Sequence, residues 1–159
     1  MSRSPGWRFV FSDPAHLFAF GFGAGLVPRA PGTAGTALAM PMAYGLHGLG
    51  PVGYAAMCLL AFGLGCWAAE RTGRHLGVHD HGGIVWDEIV GYWVTVAALP
   101  SGLGWLIAGF VLFRAFDIIK PWPISWLDAR IPGGCGVMLD DVVAGGEAGL
   151  VLWAAASWV

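Results

Sequence analysis

Forty consecutive residues, Ala30 to Ala69, contain no Asp, Glu, Lys or Arg, and few folds can accommodate such a run. One bilayer-crossing helix needs about 20 apolar residues, so the run is too long for a single crossing. The turn signal His47-Gly48-Leu49-Gly50-Pro51 divides it into two helices, about 34–47 and 52–69. A second uncharged run, Ile89 to Phe113, is interrupted by Pro100-Ser101-Gly102-Leu103-Gly104 and predicts helices over about 84–99 and 104–119. A last helix runs from about residue 137 to the C-terminus. The expected fold is all-α: a small polytopic helical membrane protein with about five apolar helices, built as a single domain over residues 1–159.

Composition agrees. Apolar residues make up 57% of the chain and charged residues 11%, against about 25% charged in a typical soluble protein. Nine tryptophans suit a protein with membrane interfaces. A net charge of −2 with no basic cluster excludes nucleic acid as a partner. Cys58, Cys66 and Cys135 have no metal-ligand spacing and suggest no disulfide framework. The opening Met-Ser-Arg-Ser-Pro-Gly-Trp-Arg lacks the apolar stretch of a cleaved signal and reads as a cytoplasmic N-terminus. His16 to Val27 is apolar but only a dozen residues long, which suits an interfacial or re-entrant segment.

With the N-terminus inside, the first four helices form two hairpins and the fifth leaves the cytoplasmic side. All eight Lys and Arg then lie on one side, and the two outer turns carry no charge. Four clusters meet at that surface. The first is Arg29 to Thr36, a restrained, glycine-containing turn with two threonine hydroxyls. The second is His79-Asp80-His81 followed by Asp87-Glu88 at a helix start, where negative charge is favoured by the helix dipole. The third is Arg114, Asp117 and Lys120, spaced by three along one helical stripe. The fourth is Asp140-Asp141 with Glu147 further along. On a helix Asp140 and Glu147 share a face, and Asp141 points roughly 100° away.

Singly, each cluster has an ordinary structural reading as a helix cap, an ion-paired stripe or a solvated loop. His79 and His81 read equally as acid–base groups or as exposed bystanders, and His16 and His47 as turn or interface residues without a role. Together the clusters ask for more, because ionisable groups at membrane depth are functional candidates by default. Carboxylates without Cys or His at ligand spacing suit Mg²⁺ rather than zinc. Arg and Lys beside them suit a phosphate. Metal-assisted phosphoryl transfer or hydrolysis follows as the expected chemistry.

Four segments, in this order, carry a resemblance: Pro28-Arg29-Ala-Pro-Gly-Thr33, His79-Asp80-His81-Gly-Gly-Ile-Val-Trp-Asp87-Glu88-Ile-Val-Gly91, Phe113-Arg114-Ala-Phe-Asp117-Ile-Ile-Lys120-Pro, and Gly136-Val-Met-Leu-Asp140-Asp141-Val-Val-Ala-Gly145. They resemble the phosphatidylglycerophosphatase A family over nearly the whole chain, with Arg29 where the family carries Lys. The resemblance implies a multi-pass, Mg²⁺-dependent lipid phosphatase of the bacterial inner membrane, with its active site on the cytoplasmic side. Its substrate would be phosphatidylglycerophosphate and its product phosphatidylglycerol. On this reading Asp87, Glu88, Asp140 and Asp141 bind Mg²⁺. Arg29, Gly32, Thr33, Arg114 and Lys120 hold the phosphate. Asp117, Asp141 and Asp80 are the catalytic candidates, Asp117 as orienting group or base and Asp80 as a ligand or its support. The last helix is expected to be short, ending at Val159.

Other classes fit less well. A CDP-alcohol phosphotransferase needs a long Asp-Gly…Ala-Arg…Gly…Asp…Asp pattern that is absent. A His-nucleophile lipid phosphatase needs a His after Pro100-Ser101-Gly102. A small cation-coupled transporter would spread its carboxylates through the membrane depth, whereas these gather at one end.

Overall fold

The computed structural model describes residues 5–158; Met1–Ser4, the beginning of the expected cytoplasmic N-terminus, and Val159 lie outside the described residues. Among the described residues the fold is entirely helical: α1 (Trp7–Val10), α2 (Pro14–Ala19), α3 (Pro31–Leu46), α4 (Gly50–Leu76), α5 (Trp86–Val96), α6 (Leu103–Ile119), α7 (Ile124–Arg130) and α8 (Gly133–Ala156). Asp13 caps α2 by accepting a hydrogen bond from the Ala15 N–H at 2.9 Å. The segment expected to be interfacial or re-entrant becomes α2 and a 3-10 turn over Gly21–Leu26.

The expected turn at 47–51 is a 3-10 turn, His47–Leu49, after which Gly50 takes a positive φ of 68°. The chain reverses there, and α3 and α4 run along either side of α5. Trp93 Nε1 on α5 donates to the Ala39 carbonyl of α3 at 3.3 Å. On the other flank, Tyr54 Oη of α4 donates to the Trp93 carbonyl at 2.8 Å, and Trp86 Nε1 donates to Ala61 O at 2.9 Å. These three bonds let aromatic residues fill the core without stranding a polar atom. Tyr54→Phe removes one of them and leaves a buried carbonyl unpaired; a loss of about 1 kcal/mol is expected, measurable by denaturation of the purified protein.

α8 packs closest to α5. Asp141's backbone carbonyl lies 2.7 Å from where a Cβ at Gly91 would stand, and Thr95's lies 2.9 Å from one at Gly149. A Cβ at Gly145 would strike the Gly91 carbonyl. Small residues on both helices therefore let the backbones touch. Enclosed by α3, α4, α6 and α8, α5 is buried except at the half-buried Glu88 and Val94.

Helix lengths refine the expected architecture. Pro31–Leu76, 46 residues including the turn, is long and apolar enough to cross a membrane, and no other helix among the described residues meets the same test. α5 has 11 residues and α6 has 17, about 16 and 26 Å at 1.5 Å per residue. α4 runs seven residues past its expected end, supported by an Arg74–Glu70 ion pair of 2.7 Å one turn apart. α8 begins at Gly133, four residues before the expected start, because Pro132 is extended at its N-cap. Its 24 residues make it longer than the short last helix expected. α7 lies in the proline-rich segment for which no helix is expected.

Candidate active site

The start of α3, the start of α5, the end of α6 and the third turn of α8 meet at one end of the bundle. The uncharged turns lie at the other end, where His47 Nε2 contacts the Val96 carbonyl at 3.3 Å. Asp87 and Glu88 occupy the first turn of α5, and Asp141 comes from α8. One carboxylate oxygen from each of these three lies within 4.8 Å of the others. Asp87 and Asp141 are buried, and Glu88 is half-buried.

Three negative groups this close repel one another, and burial removes the water that would screen them. Asp87 Oδ1, Glu88 Oε2 and Asp141 Oδ2 are all buried and lack a hydrogen-bond partner. Three acids converging from two helices, each with an orphaned oxygen, are what a bound cation satisfies. The donors are all carboxylate oxygens, the set a hard divalent ion takes. The residues present therefore fit a metal.

Arg114 closes the cluster from α6. Its Nη1 pairs with Asp117 one turn on and lies 3.7 Å from Glu88 Oε1. Its Nε is buried without a partner, so a donor remains for a further group. Asp117 also reaches the Asp141 carboxyl. Gly32, buried at the start of α3, lies against these groups. A Cβ there would strike the Glu88 carboxylate and come within 3.1 Å of Arg114 Nη1. The first helical hydrogen bond of α3 goes from the Ala34 N–H to Ala30 O, so the Gly32 and Thr33 N–H groups lie in the unsatisfied first turn. Thr33 is half-buried there, and Arg29 is exposed on the preceding segment.

A second charged group forms next to the first. Lys120 Nζ donates to Asp140 Oδ2 at 2.7 Å and pairs with Asp128 Oδ1 at 3.0 Å. Asp140 is buried, and its other oxygen accepts from the Asp141 N–H at 3.1 Å. The Asp140-Asp141 pair is thus divided. Asp141 turns to Asp87 and Glu88, while Asp140, about a quarter-turn round α8, faces Lys120. Asp80 lies on the exposed loop before α5, within electrostatic range of Lys120 and Asp128. His81 Nδ1 accepts from the Gly83 N–H at 3.0 Å, and His79 pairs with the Gly133 N–H at the start of α8. Glu147 is half-buried further along α8 and outside the three-carboxylate group.

Of the residues expected at a metal, the structure brings Asp87, Glu88 and Asp141 together and places Asp140 on Lys120. Of those expected at a phosphate, Gly32 and Arg114 border the three acids, while Lys120 is held by Asp128 and Asp140. Asp128 is the residue sequence reasoning missed. Its signal was the one acid in the proline-rich segment after Lys120, where no helix was expected to bring it back. Two clefts, of about 530 and 800 Å³, open between the end of α4 and the start of α8, and Asp87, Glu88 and Asp141 line neither of them.

Comparison with known proteins identifies a family. The family model Phosphatidylglycerophosphatase A matches residues 17–156. Phosphatidylglycerophosphatase A of Escherichia coli (strain K12) is 47% identical over 139 residues, covering 87% of this chain and 81% of that protein. The protein of the same name from Haemophilus influenzae is 45% identical over 162 residues, covering 99% and 98%. A Bacteroides thetaiotaomicron protein named putative phosphatidylinositol-3-phosphatase is 40% identical over 151 residues, covering 90% and 93%. No solved structure matches.

Proposed function

The chain belongs to the phosphatidylglycerophosphatase A family, and from that premise we propose that it hydrolyses the terminal phosphomonoester of phosphatidylglycerophosphate to give phosphatidylglycerol. The observation that carries this reading is the group of three carboxylates, each with an orphaned oxygen, whose Glu88 member faces Arg114 and Gly32 at the start of α3. It is an anionic cluster that needs a cation, next to donors suited to a phosphate.

Asp87, Glu88 and Asp141 would hold Mg²⁺, which when bound polarises phosphorus oxygens and lowers the pKa of a bound water. Arg114 and the free N–H groups of Gly32 and Thr33 bind the phosphoryl oxygens, as a helix N-terminus does for anions. Asp117 fixes the Arg114 guanidinium and, with Asp141, is placed to accept the proton of the attacking water. Hydrolysis joins the water oxygen to phosphorus and breaks the bond to the lipid's glycerol oxygen, which leaves protonated. Arg29, at the exposed rim, attracts the dianionic phosphomonoester. Asp140 and Asp128 hold Lys120 at the edge of the site, with Asp80 nearby, where its charge supports the bound phosphate.

The helices are placed in the cytoplasmic membrane as a multi-pass bundle, with this end at the cytoplasmic face. Exposed apolar side chains such as Val52, Leu59, Leu60, Leu103, Val111 and Leu150 support that placement, as does the lack of charge at the far end. A lipid then reacts without leaving the bilayer. The relative with a phosphoinositide in its name makes substrate choice part of the test. Purified protein in mixed micelles is expected to release phosphate from phosphatidylglycerophosphate, to lose that activity with a chelator and to recover it with Mg²⁺. Release from phosphatidylinositol-3-phosphate alone would overturn the substrate, and activity indifferent to chelation would overturn the metal.

A further inference from the structure

A second cluster of potential ligands, sharing no residue with the acid group, assembles from distant parts of the chain. His16 of α2 is buried, although nothing in the phosphatase chemistry uses it. Its Nδ1 lies 3.1 Å from the Phe9 carbonyl, and its Nε2 lies 2.8 Å from Nδ1 of His75, near the end of α4. Asp13 completes the group: one atom each from Asp13, His16 and His75 lies within 4.8 Å of the others.

The orientation of His16 is informative. A carbonyl can only accept, so the Phe9 contact puts the proton on Nδ1 and leaves the Nε2 lone pair facing His75. Metal-bound histidines are held in this way, with the other ring nitrogen donating to a carbonyl or carboxylate. Asp13 is held comparably. Its Oδ2 takes an ion pair of 2.6 Å from Arg71 and its Oδ1 accepts from the Ala15 N–H, yet two carboxylate oxygens offer about four acceptor sites. His75 is exposed and borders the cleft of about 800 Å³ that Arg71 and Glu70 also line, which supplies an entry path.

We propose that Asp13, His16 and His75 form a transition-metal site, suited to Zn²⁺, that fastens α2 to the end of α4. Two imidazole nitrogens and a carboxylate are a borderline-soft donor set that prefers zinc to magnesium. The metal replaces the proton shared between the two imidazoles, and exposure at His75 leaves its remaining positions to water. This site and the three-acid cluster share no residue, so one can fail without the other.

The test uses tag-free, chelator-treated protein with Mg²⁺ in excess to occupy the acid cluster, titrated with Zn²⁺ alone by calorimetry. One equivalent is expected to bind, with X-ray absorption showing nitrogen neighbours at about 2.0–2.1 Å. His75→Ala, which changes an exposed side chain, is expected to weaken Zn²⁺ at least about 10-fold while leaving Mg²⁺-dependent phosphate release intact. Failure of Zn²⁺ to bind, equal affinity in wild type and His75→Ala, or a bound ion with only oxygen neighbours would each overturn the site. His16→Ala serves as a second variant, read only if its metal-free circular dichroism matches the wild type. Unchanged affinity there counts equally against the site.

Discussion

Asp141→Asn is expected to lower phosphate release from phosphatidylglycerophosphate by more than about 100-fold, the upper end of what removing a mere support for a metal ligand costs. The substitution keeps the shape of a buried side chain and removes only its charge, so packing between α5 and α8 is preserved. What it removes is one of the three anionic oxygens left without a partner beside Asp87 and Glu88. The metal-free variant should be as stable as the wild type or more so, because a repulsion between buried carboxylates is relieved. Asp140→Asn loses an ion pair to Lys120 rather than an orphaned oxygen, and a smaller loss is expected. Initial rates across a Mg²⁺ series for both variants check this pairwise. An Asp141→Asn enzyme with wild-type rate and Mg²⁺ dependence would refute the site.

Gly145→Leu is expected to be the most damaging substitution that adds no charge. Its side chain would be forced into the Gly91 carbonyl, where backbone cannot yield as a flexible side chain can. Overpacking of this kind typically costs about 1–3 kcal/mol, and a backbone obstacle places it at or above the top of that range. Activity should fall with stability, because Asp141 lies one turn back on the same helix and Asp87 one turn back on α5. Gly146→Leu is the matched control: a Cβ at Gly146 meets nothing within 4 Å, so near wild-type behaviour is expected. Thermal denaturation of the two variants beside the parent decides the matter, and equal midpoints would show that the α5–α8 seam is not close-packed.

Much of this was readable in the chain. Gly50-Pro51 and Pro100–Gly104 mark turns because glycine and proline punctuate helices wherever they stand. Arg29, Asp87, Arg114, Lys120 and Asp141 could be gathered at one end by counting helices between them. The division of labour within Asp140-Asp141 could not be read, since it depends on which neighbour each meets across a quarter-turn of helix. Asp128 was hidden because its contact with Lys120 depends on the path of a proline-rich segment. His16 and His75 are 59 residues apart, and no local periodicity announces such a pairing. The length of α5 was misjudged for a related reason. An apolar run looks the same whether it faces lipid or other helices.

That enclosure of α5 bears on the order in which the molecule can be made. Asp87 and Glu88 ride on an 11-residue helix with almost no outward face, and their partner Asp141 arrives on α8, which is made after α5, α6 and α7. A nascent chain that has produced everything up to α7 holds two of the three acids but lacks the wall that confines them. A chain truncated before α8 is therefore expected to release no phosphate, whatever the state of its first seven helices.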